Sequence, residues 1–372
     1  MADIIFDSTG SIENFTKNIN MFSSKNQTVM ILACDANGFK KESIDPILLQ
    51  SNMPVIGGIF PSIIYNTEKY DKGTLFIGLH DMMDIHIIND ISQKDYDSLD
   101  KAMEEQLKGF DESIKTMFVL IDGLAKNIGT AVNVLFDNYG LDVNYIGGGS
   151  GSLSFEQKPS LFTNQGLLKD AFVYGYSKCH SSIGVCHGWK SISGPYQVTK
   201  SKGTIIQEID YKPAFEVYKH VIQEYSSKII TKENFFEIAK FFPFGLNTIT
   251  DEKIVRDPIV LNGTEMVCVG DVDEGSYIDI LYGNSDDLIK AAKYASDVSY
   301  KHINFNDTFT LFIDCISRVL VLEEEFQSEI EAVYRECTEL VGALTFGEIA
   351  NSGRDYLSFY NKTSVVGHIG HG

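Results

Sequence analysis

Glycines 147 to 149, Ser150 and Gly151 close a short apolar run, Val143-Asn-Tyr-Ile146. Glycines where a strand ends let the backbone take positive φ and let another group come close. Such a cluster forms a tight turn, or it cradles an anion with its N–H groups. It lacks the Lys-Ser/Thr pair of a phosphate-binding loop and the Gly-x-Gly-x-x-Gly spacing that leads into a helix. Gly148, Gly149 and Ser150 are the candidates here for a loop that lines a ligand. Arg256 stands in an apparent strand beside Asp257. A guanidinium so placed holds a carboxylate through two parallel hydrogen bonds, or pairs structurally with one of the chain's 51 acidic residues. Glu348, Asn361 and Thr363 bring a carboxylate, an amide and a hydroxyl to neighbouring strand ends. They can fix a polar ligand or stitch the strands together.

The eight histidines are His80, His86, His180, His187, His220, His302, His368 and His371. A haem iron needs a ring nitrogen presented into an apolar pocket, or a Cys or Tyr in its place. His187 is the best placed, beside Gly188 and the only tryptophan, Trp189; the alternative is a hydrogen-bonded structural histidine. Cys179-His180 and Cys186-His187 could approach one another in a hairpin, but structural zinc sites space their cysteines more tightly, and no metal is expected. His368 and His371 lie in a Gly-rich tail and read as exposed. No nucleophile–base pair stands out. An enzyme would need a buried, pKa-shifted base near Glu348 or Cys34, so a catalytic role on a small metabolite is the less favoured reading. The 24 Phe and 18 Tyr residues are read as core rather than as a cofactor box.

The elements that must position these groups alternate. Thr28–Cys34, 54–59, 116–121 and 143–146 are apolar runs of strand length, with helices read over 41–51, 96–110 and 125–138 between them. Segments 73–79 and 84–88 read as paired strands, and 171–176 with 182–186 as a hairpin. Further on, helices are read over 213–224, 231–242, 284–299 and 324–338, a meander over 254–281, and strands over 308–315 and 341–346. Strands bounded by helices indicate a mixed α/β (α+β) chain of two layered modules with helices covering the sheets. A length of 372 residues also favours two modules. The boundary is placed between Tyr176 and Lys212, giving modules 1–180 and 181–372.

A net charge of −20 and a pI of 4.7 argue against nucleic acid and anionic membranes. Only four of the 31 basic residues are arginines, namely Arg256, Arg318, Arg335 and Arg354, and each is a better anion fork than a lysine. Six scattered cysteines without a Cys-x-x-Cys pair fit reduced thiols in the cytoplasm. No apolar run reaches the ~18 to 20 residues that span a bilayer, and Met1-Ala-Asp-Ile-Ile-Phe-Asp lacks the pattern of a signal peptide.

The glycine cluster is followed by Ser160-Leu-Phe-Thr163, Asn164-Gln-Gly166 and Asp170-Ala-Phe-Val-Tyr-Gly-Tyr176. That series resembles the N-terminal module of FIST sensory proteins. His187-Gly188-Trp189, Lys212-Pro213-Ala214, Phe242-Pro243-Phe244-Gly245, Ile254-Val255-Arg256 and Glu274-Gly275 continue it. Gly347-Glu348-Ile349 and Asn361-Lys362-Thr363 resemble the end of the C-terminal module. The ordered motifs cover nearly the whole chain. The resemblance implies an intracellular sensory protein that binds a small molecule in a cleft at or between its modules and relays occupancy to a signalling protein such as a histidine kinase. Its candidate ligand residues are Gly148, Gly149, Ser150, Arg256, Glu348, Asn361 and Thr363. The ligand and the oligomeric state are not specified. Some stand-alone relatives are haem proteins that sense nitric oxide, which makes His187 the haem candidate. Many relatives carry His where this chain has Tyr360, a departure that weighs against haem.

Overall fold

Strands and helices alternate in a pattern that the chain repeats three times. The computed structural model describes residues 3–23, 27–107, 109–248, 253–301, 306–351 and 356–371. The first unit runs β1 (Asp3–Asp7), α1 (Ile12–Phe22), β2 (Thr28–Cys34), α2 (Lys41–Leu48), β3 (Val55–Phe60), the hairpin β4 (Ile63–Tyr65) and β5 (Glu68–Tyr70), then β6 (Thr74–Leu79). The second repeats it with β7 (Asp84–Asn89), α3 (Tyr96–Glu104), β8 (Thr116–Asp122), α4 (Ile128–Tyr139), β9 (Asn144–Ser150), the hairpin β10 (Leu161–Thr163) and β11 (Gly166–Leu168), then β12 (Ala171–Ser177). The third opens with β13 (His180–Cys186) and then carries an insertion.

The insertion comprises β14 (Lys190–Lys202), β15 (Ile205–Ile209), β16 (Lys212–Pro213), α5 (Ala214–Ser226), α6 (Phe235–Ala239), β17 (Phe244–Leu246), β18 (Ile254–Asn262), β19 (Glu265–Val269) and β20 (Tyr277–Tyr282). Its strands pair in the order β14-β20-β17-β18-β19-β15-β16, and β14 also pairs with β15. That last pairing closes the sheet into a small barrel, which removes its edges. Phe215, Tyr218, Phe235 and Phe242 from the helical segment fill its core with Val198, Met266 and Ile280. The third unit then resumes with α7 (Ser285–Ser299), β21 (Asn306–Cys315), α8 (Ile316–Leu322), α9 (Phe326–Val333), β22 (Glu339–Thr345), the hairpin β23 (Glu348–Ala350) and β24 (Ser358–Tyr360), and β25 (Ser364–His371).

Each unit builds one sheet around a parallel pair, β2–β3, β8–β9 or β21–β22. Each parallel pair is flanked on one side by two antiparallel strands of its own unit and on the other by a hairpin from a different unit. The hairpin β4–β5 leaves the first unit for the third sheet, β10–β11 leaves the second for the first, and β23–β24 leaves the third for the second. The inner faces of the three sheets meet in a common core that includes Leu32, Leu120 and Ile313. The outer faces are covered by their own helices, with Ile31, Val119 and Phe312 beneath them. The leading helices α1, α3 and α7 are each capped by a side chain, Ser11, Asp95 or Asn284, that accepts a backbone N–H three residues on.

The equivalence reaches individual residues. Gly57, Gly147 and Gly342 occupy the same place beside Ile31, Val119 and Phe312. A Cβ on them would lie 2.2, 1.7 and 2.2 Å from the carbonyl oxygens of those neighbours. Only glycine fits at that separation.

The mixed α/β class and the helix-covered sheets expected from the alternation are both present. Several local expectations need correction. Glycines 147 to 149 lie inside β9, not in a turn after it. Segments 73–79 and 84–88 do not pair; β6 joins β1 and β2, whereas β7 joins β12 in the next sheet. The same holds for β12 and β13, because the chain passes from one unit to the next between them. In the barrel β18 pairs with β19, but β20 pairs with β17 and β14, so 254–281 is no simple meander. The helix read over 231–242 is regular only at Phe235–Ala239. Residue 180 falls at the start of β13, and strands from both sides of it share two of the sheets. No helix among the described residues is long and apolar enough to cross a membrane.

Candidate functional site

The carboxyl ends of parallel strands are where sheets of this kind leave room for ligands. At the ends of β21 and β22 a cleft of about 330 Å³ opens between the third unit and the barrel. Cys315, Ile316, Ser317 and Leu320 line it from β21 and α8, and Phe346 and Gly347 from the turn after β22. The barrel contributes Phe236, Asp257, Ile259, Val260 and Val269, and the segment after β9 contributes Leu153 and Phe155. Asn361 completes the lining. The walls are thus largely apolar, with Phe155 65% and Val260 44% exposed.

Two dipeptides face each other across this junction. Arg256 Nη1 donates to Asn361 Oδ1 at 3.4 Å. Lys362 Nζ lies 3.1 Å from Asp257 Oδ2. Asn361 and Asp257 are almost wholly buried, yet Asn361 Nδ2 and Asp257 Oδ1 have no hydrogen-bond partner. Burial pushes the Asp257 pKa up, against the Lys362 ammonium and the Ser317 hydroxyl, which both lower it. An unpaired buried polar atom costs about 1–3 kcal/mol, so two of the residues that line the cleft each carry an unsatisfied buried group. The remaining Arg256 bonds go to the carbonyls of Asp271, Val255 and Phe359. Burial lowers its pKa to about 10.

Behind the cleft the threefold pattern breaks. Ile63, Leu161 and Glu348 are equivalent first residues of the exchanged hairpins, opposite Ala343, Gly58 and Gly148. Ile63 and Leu161 are central core, and Glu348 is equally buried. Its carboxyl accepts from Thr345 Oγ1 at 2.8 Å and from the Thr363 N–H at 3.3 Å. Burial raises its pKa to about 8. Ala33 and Ile121 are matched by Asp314. Asp314 and Glu329 flank the fully buried Arg318, whose guanidinium bonds Glu329 and lies 3.3 Å from Asp314. One guanidinium cannot neutralise two carboxylates, and burial beside Glu329 holds the Asp314 pKa well above the usual range. Arg318 also donates to the carbonyls of His187, Leu288 and Lys362, at 2.7, 2.9 and 3.1 Å. It therefore ties together the chain leading into the barrel, the chain leading out of it, and the residue that pairs with Asp257.

The FIST N domain matches residues 28–212, and the FIST C domain matches residues 214–351. The chain belongs to the FIST family. FIST domains are associated with sensory signal transduction rather than catalysis. The FIST chain is also similar to an uncharacterized protein of Methanocaldococcus jannaschii, 24% identical over 229 residues that cover 55% of this chain and 44% of that protein. The match thus spans less than half the length of that relative.

Of the residues singled out in the FIST sequence, Asn361 lines the cleft, and Arg256 sits beside it bonded to Asn361. Glu348 and Thr363 are joined to each other behind its lining. Gly148, Gly149 and Ser150 do not line it. Gly149 donates to the Gly347 carbonyl at 2.8 Å and accepts from Phe346 at 2.9 Å, so its backbone is spent on pairing. Gly148 stands opposite Glu348, and Ser150 Oγ lies 2.7 Å from Ser160 Oγ. Arg318 and Arg335 serve buried and surface ion pairs, and Arg354 and His302 lie outside the described residues. His368 is buried rather than exposed, because β25 is a central strand of its sheet.

His187 does not fit a haem ligand. Its Nδ1 accepts the Trp189 N–H at 2.9 Å, and the ring is not part of the apolar cleft. Burial, with Arg318 and Lys253 near, lowers its pKa to about 4. Cys179-His180 and Cys186-His187 stand at opposite ends of β13. Cys34 donates to the Tyr70 carbonyl, and burial pushes its pKa up to about 12, so it is an unreactive thiol. Sequence reasoning passed over Asp257, Lys362 and Cys315. The signal for the first two was adjacency, since each is the neighbour of a residue already chosen.

Proposed function

We propose that this FIST protein is a sensor that binds a small molecule in the cleft between the barrel and the third unit, and relays its occupancy to a signalling partner such as a kinase. The observation that carries this reading is the combination of an apolar cleft with two buried, unpaired polar atoms in its wall. The relay has a physical route. Lys362 reaches from the threefold core into the barrel, to Asp257 and to the Lys240 carbonyl at 3.0 Å. Its own carbonyl accepts from Trp189 Nε1 and from Arg318, at the root of the barrel. A ligand seated on Asp257 and Asn361 touches the residues that set the barrel's position. It shifts that position to the extent that it prefers one arrangement over another.

Native and denaturing mass spectra of the purified protein test the reading, with Val260→Trp as the partner variant. Val260 is at the exposed rim, so the indole obstructs the cleft without disturbing its polar wall. A released small mass that Val260→Trp loses is the expected result. A released mass that this variant retains places the ligand elsewhere.

A further inference from the structure

We infer that the cleft takes a hydrocarbon group, a chain or ring system, and recognises it by contact alone, while any polar head stays in water at the open mouth. The inference rests on the cleft being the ligand site proposed above. It follows from what the lining presents. Asp257 is the one charged residue among the described residues of the lining. It is buried, as are Asn361 and Cys315, and the unpaired atoms of Asp257 and Asn361 have almost no accessible surface. The Ser317 hydroxyl is already engaged beside the Asp257 carboxyl, with Cys315 Sγ 3.5 Å away. What remains to meet a ligand is chiefly the hydrocarbon of Leu153, Phe155, Phe236, Val260, Leu320 and Phe346. A polar head drawn in against that surface would lose its water and gain no partner.

The volume fits a small molecule. A cavity of about 150 Å³ holds benzene, so the 330 Å³ here has room for about thirteen non-hydrogen atoms. A helix, about 10 Å across, does not enter such a space. Phe155 supplies the second observation. Its φ of 53° lies in the left-handed region, which a bulky side chain rarely adopts. The segment is tied at both ends to hold it so. Ser152 Oγ donates to Asp35 Oδ2 at 2.7 Å, and Gln157 Nε2 donates to Asp122 Oδ2 at 2.8 Å. Between these ties Leu153 and Phe155 both stand exposed, and the Phe155 ring meets Phe346 edge-on, with centroids 5.8 Å apart. A backbone held against its preference, with large apolar side chains left in water over a concavity, marks a surface that another molecule covers.

Calorimetric titration of the full-length protein with straight-chain alcohols from hexanol to decanol tests this. Affinity is expected to rise about fourfold with each added methylene. Decanol, decanoate and the zwitterionic 2-aminodecanoate share a ten-carbon chain and differ in the head. They are expected to bind within about fivefold of one another at physiological salt, where a head in water feels the protein's charge weakly. Phe155→Ala, at an exposed position that the fold does not depend on, is expected to weaken decanol about tenfold. Affinity that is flat with chain length, or one head at least about tenfold ahead of the others, overturns the hydrocarbon inference. If Val260→Trp still abolishes that binding, the cleft reading survives. No binding of decanol to the wild-type protein overturns the inference outright. Binding that Val260→Trp leaves unchanged counts against the cleft itself.

Discussion

Glu348 fills a core position that two equivalent hairpins give to Ile63 and Leu161. The cost of that substitution shows as a pKa raised from 4.5 to about 8. The folded protein therefore holds a proton that the unfolded chain releases above its ordinary carboxyl pKa. Between pH 4.5 and about 8 the native state binds more protons, so this group makes stability fall as pH rises. Replacing Glu348 by Gln removes the titration and keeps the size. Urea midpoints measured at pH 5, 7 and 9 should show the variant gaining most at pH 9, by a few kcal/mol, and almost nothing at pH 5. Equal gains at all three values would mean that the carboxyl is not the titrating group. The sequence pointed to Glu348 as a polar group at a strand end. It could not show how deeply the carboxyl is buried, because the strand opposite it, β9, comes about 200 positions earlier in the chain. Asn361 was legible for the same reason and Asp257 was not, since an acid beside an arginine reads first as that arginine's partner. In the fold the pairs cross instead, Arg256 to Asn361 and Lys362 to Asp257.

Single elements were the most legible level. The apolar run Thr28–Cys34 set β2 to the residue, and the helix read over 284–299 agrees with α7 to within one position, whereas α1 was not read from the sequence at all. Pairing was not legible, because neighbours in sequence usually pair and here β6 and β7, or β12 and β13, go to different sheets. The glycine cluster was misjudged for a related reason. Read alone, glycines signal a turn, whereas Gly147 is a strand residue pressed against the Val119 carbonyl. Gly147→Ala should cost several kcal/mol or prevent folding, since backbone would have to move on both sides. Gly129 is the contrast. It lies within α4, and a Cβ there would meet only Asp271 Oδ2, at 3.7 Å. Gly129→Ala should raise stability by about 0.5 kcal/mol through the unfolded chain. Thermal denaturation of the two variants separates these effects. A Gly147→Ala protein as stable as the wild type would refute the close packing of β8 on β9.

Hairpin exchange binds the whole molecule together. Each sheet is completed by a hairpin borrowed from another unit, and the loan closes in a circle. The two family domains meet near residue 213, yet β4–β5 from the first completes a sheet of the second, and β23–β24 runs the other way. A fragment ending at residue 180 would expose the β9 edge and leave Ile63 and Ile64, both core, without the β22 they pack on. A fragment starting at 181 would expose β22 in the same way. Unpaired strand edges and bare apolar faces favour aggregation over folding. Fragments 1–180 and 181–372 expressed separately should therefore give poorly dispersed amide spectra, and coexpression should restore one complex with the spectrum of the intact chain. The barrel stands outside this circle, because its strands pair only with one another. Its links to the core include the two chain crossings clamped by Arg318, the bonds of Lys362 to Asp257 and Lys240, and those of Arg256 to Asn361 and Phe359. If the proposed function holds, a ligand seated at the junction is expected to move the barrel and leave the circular core unchanged. A fragment 1–180 that folded cooperatively by itself would remove the basis for that expectation.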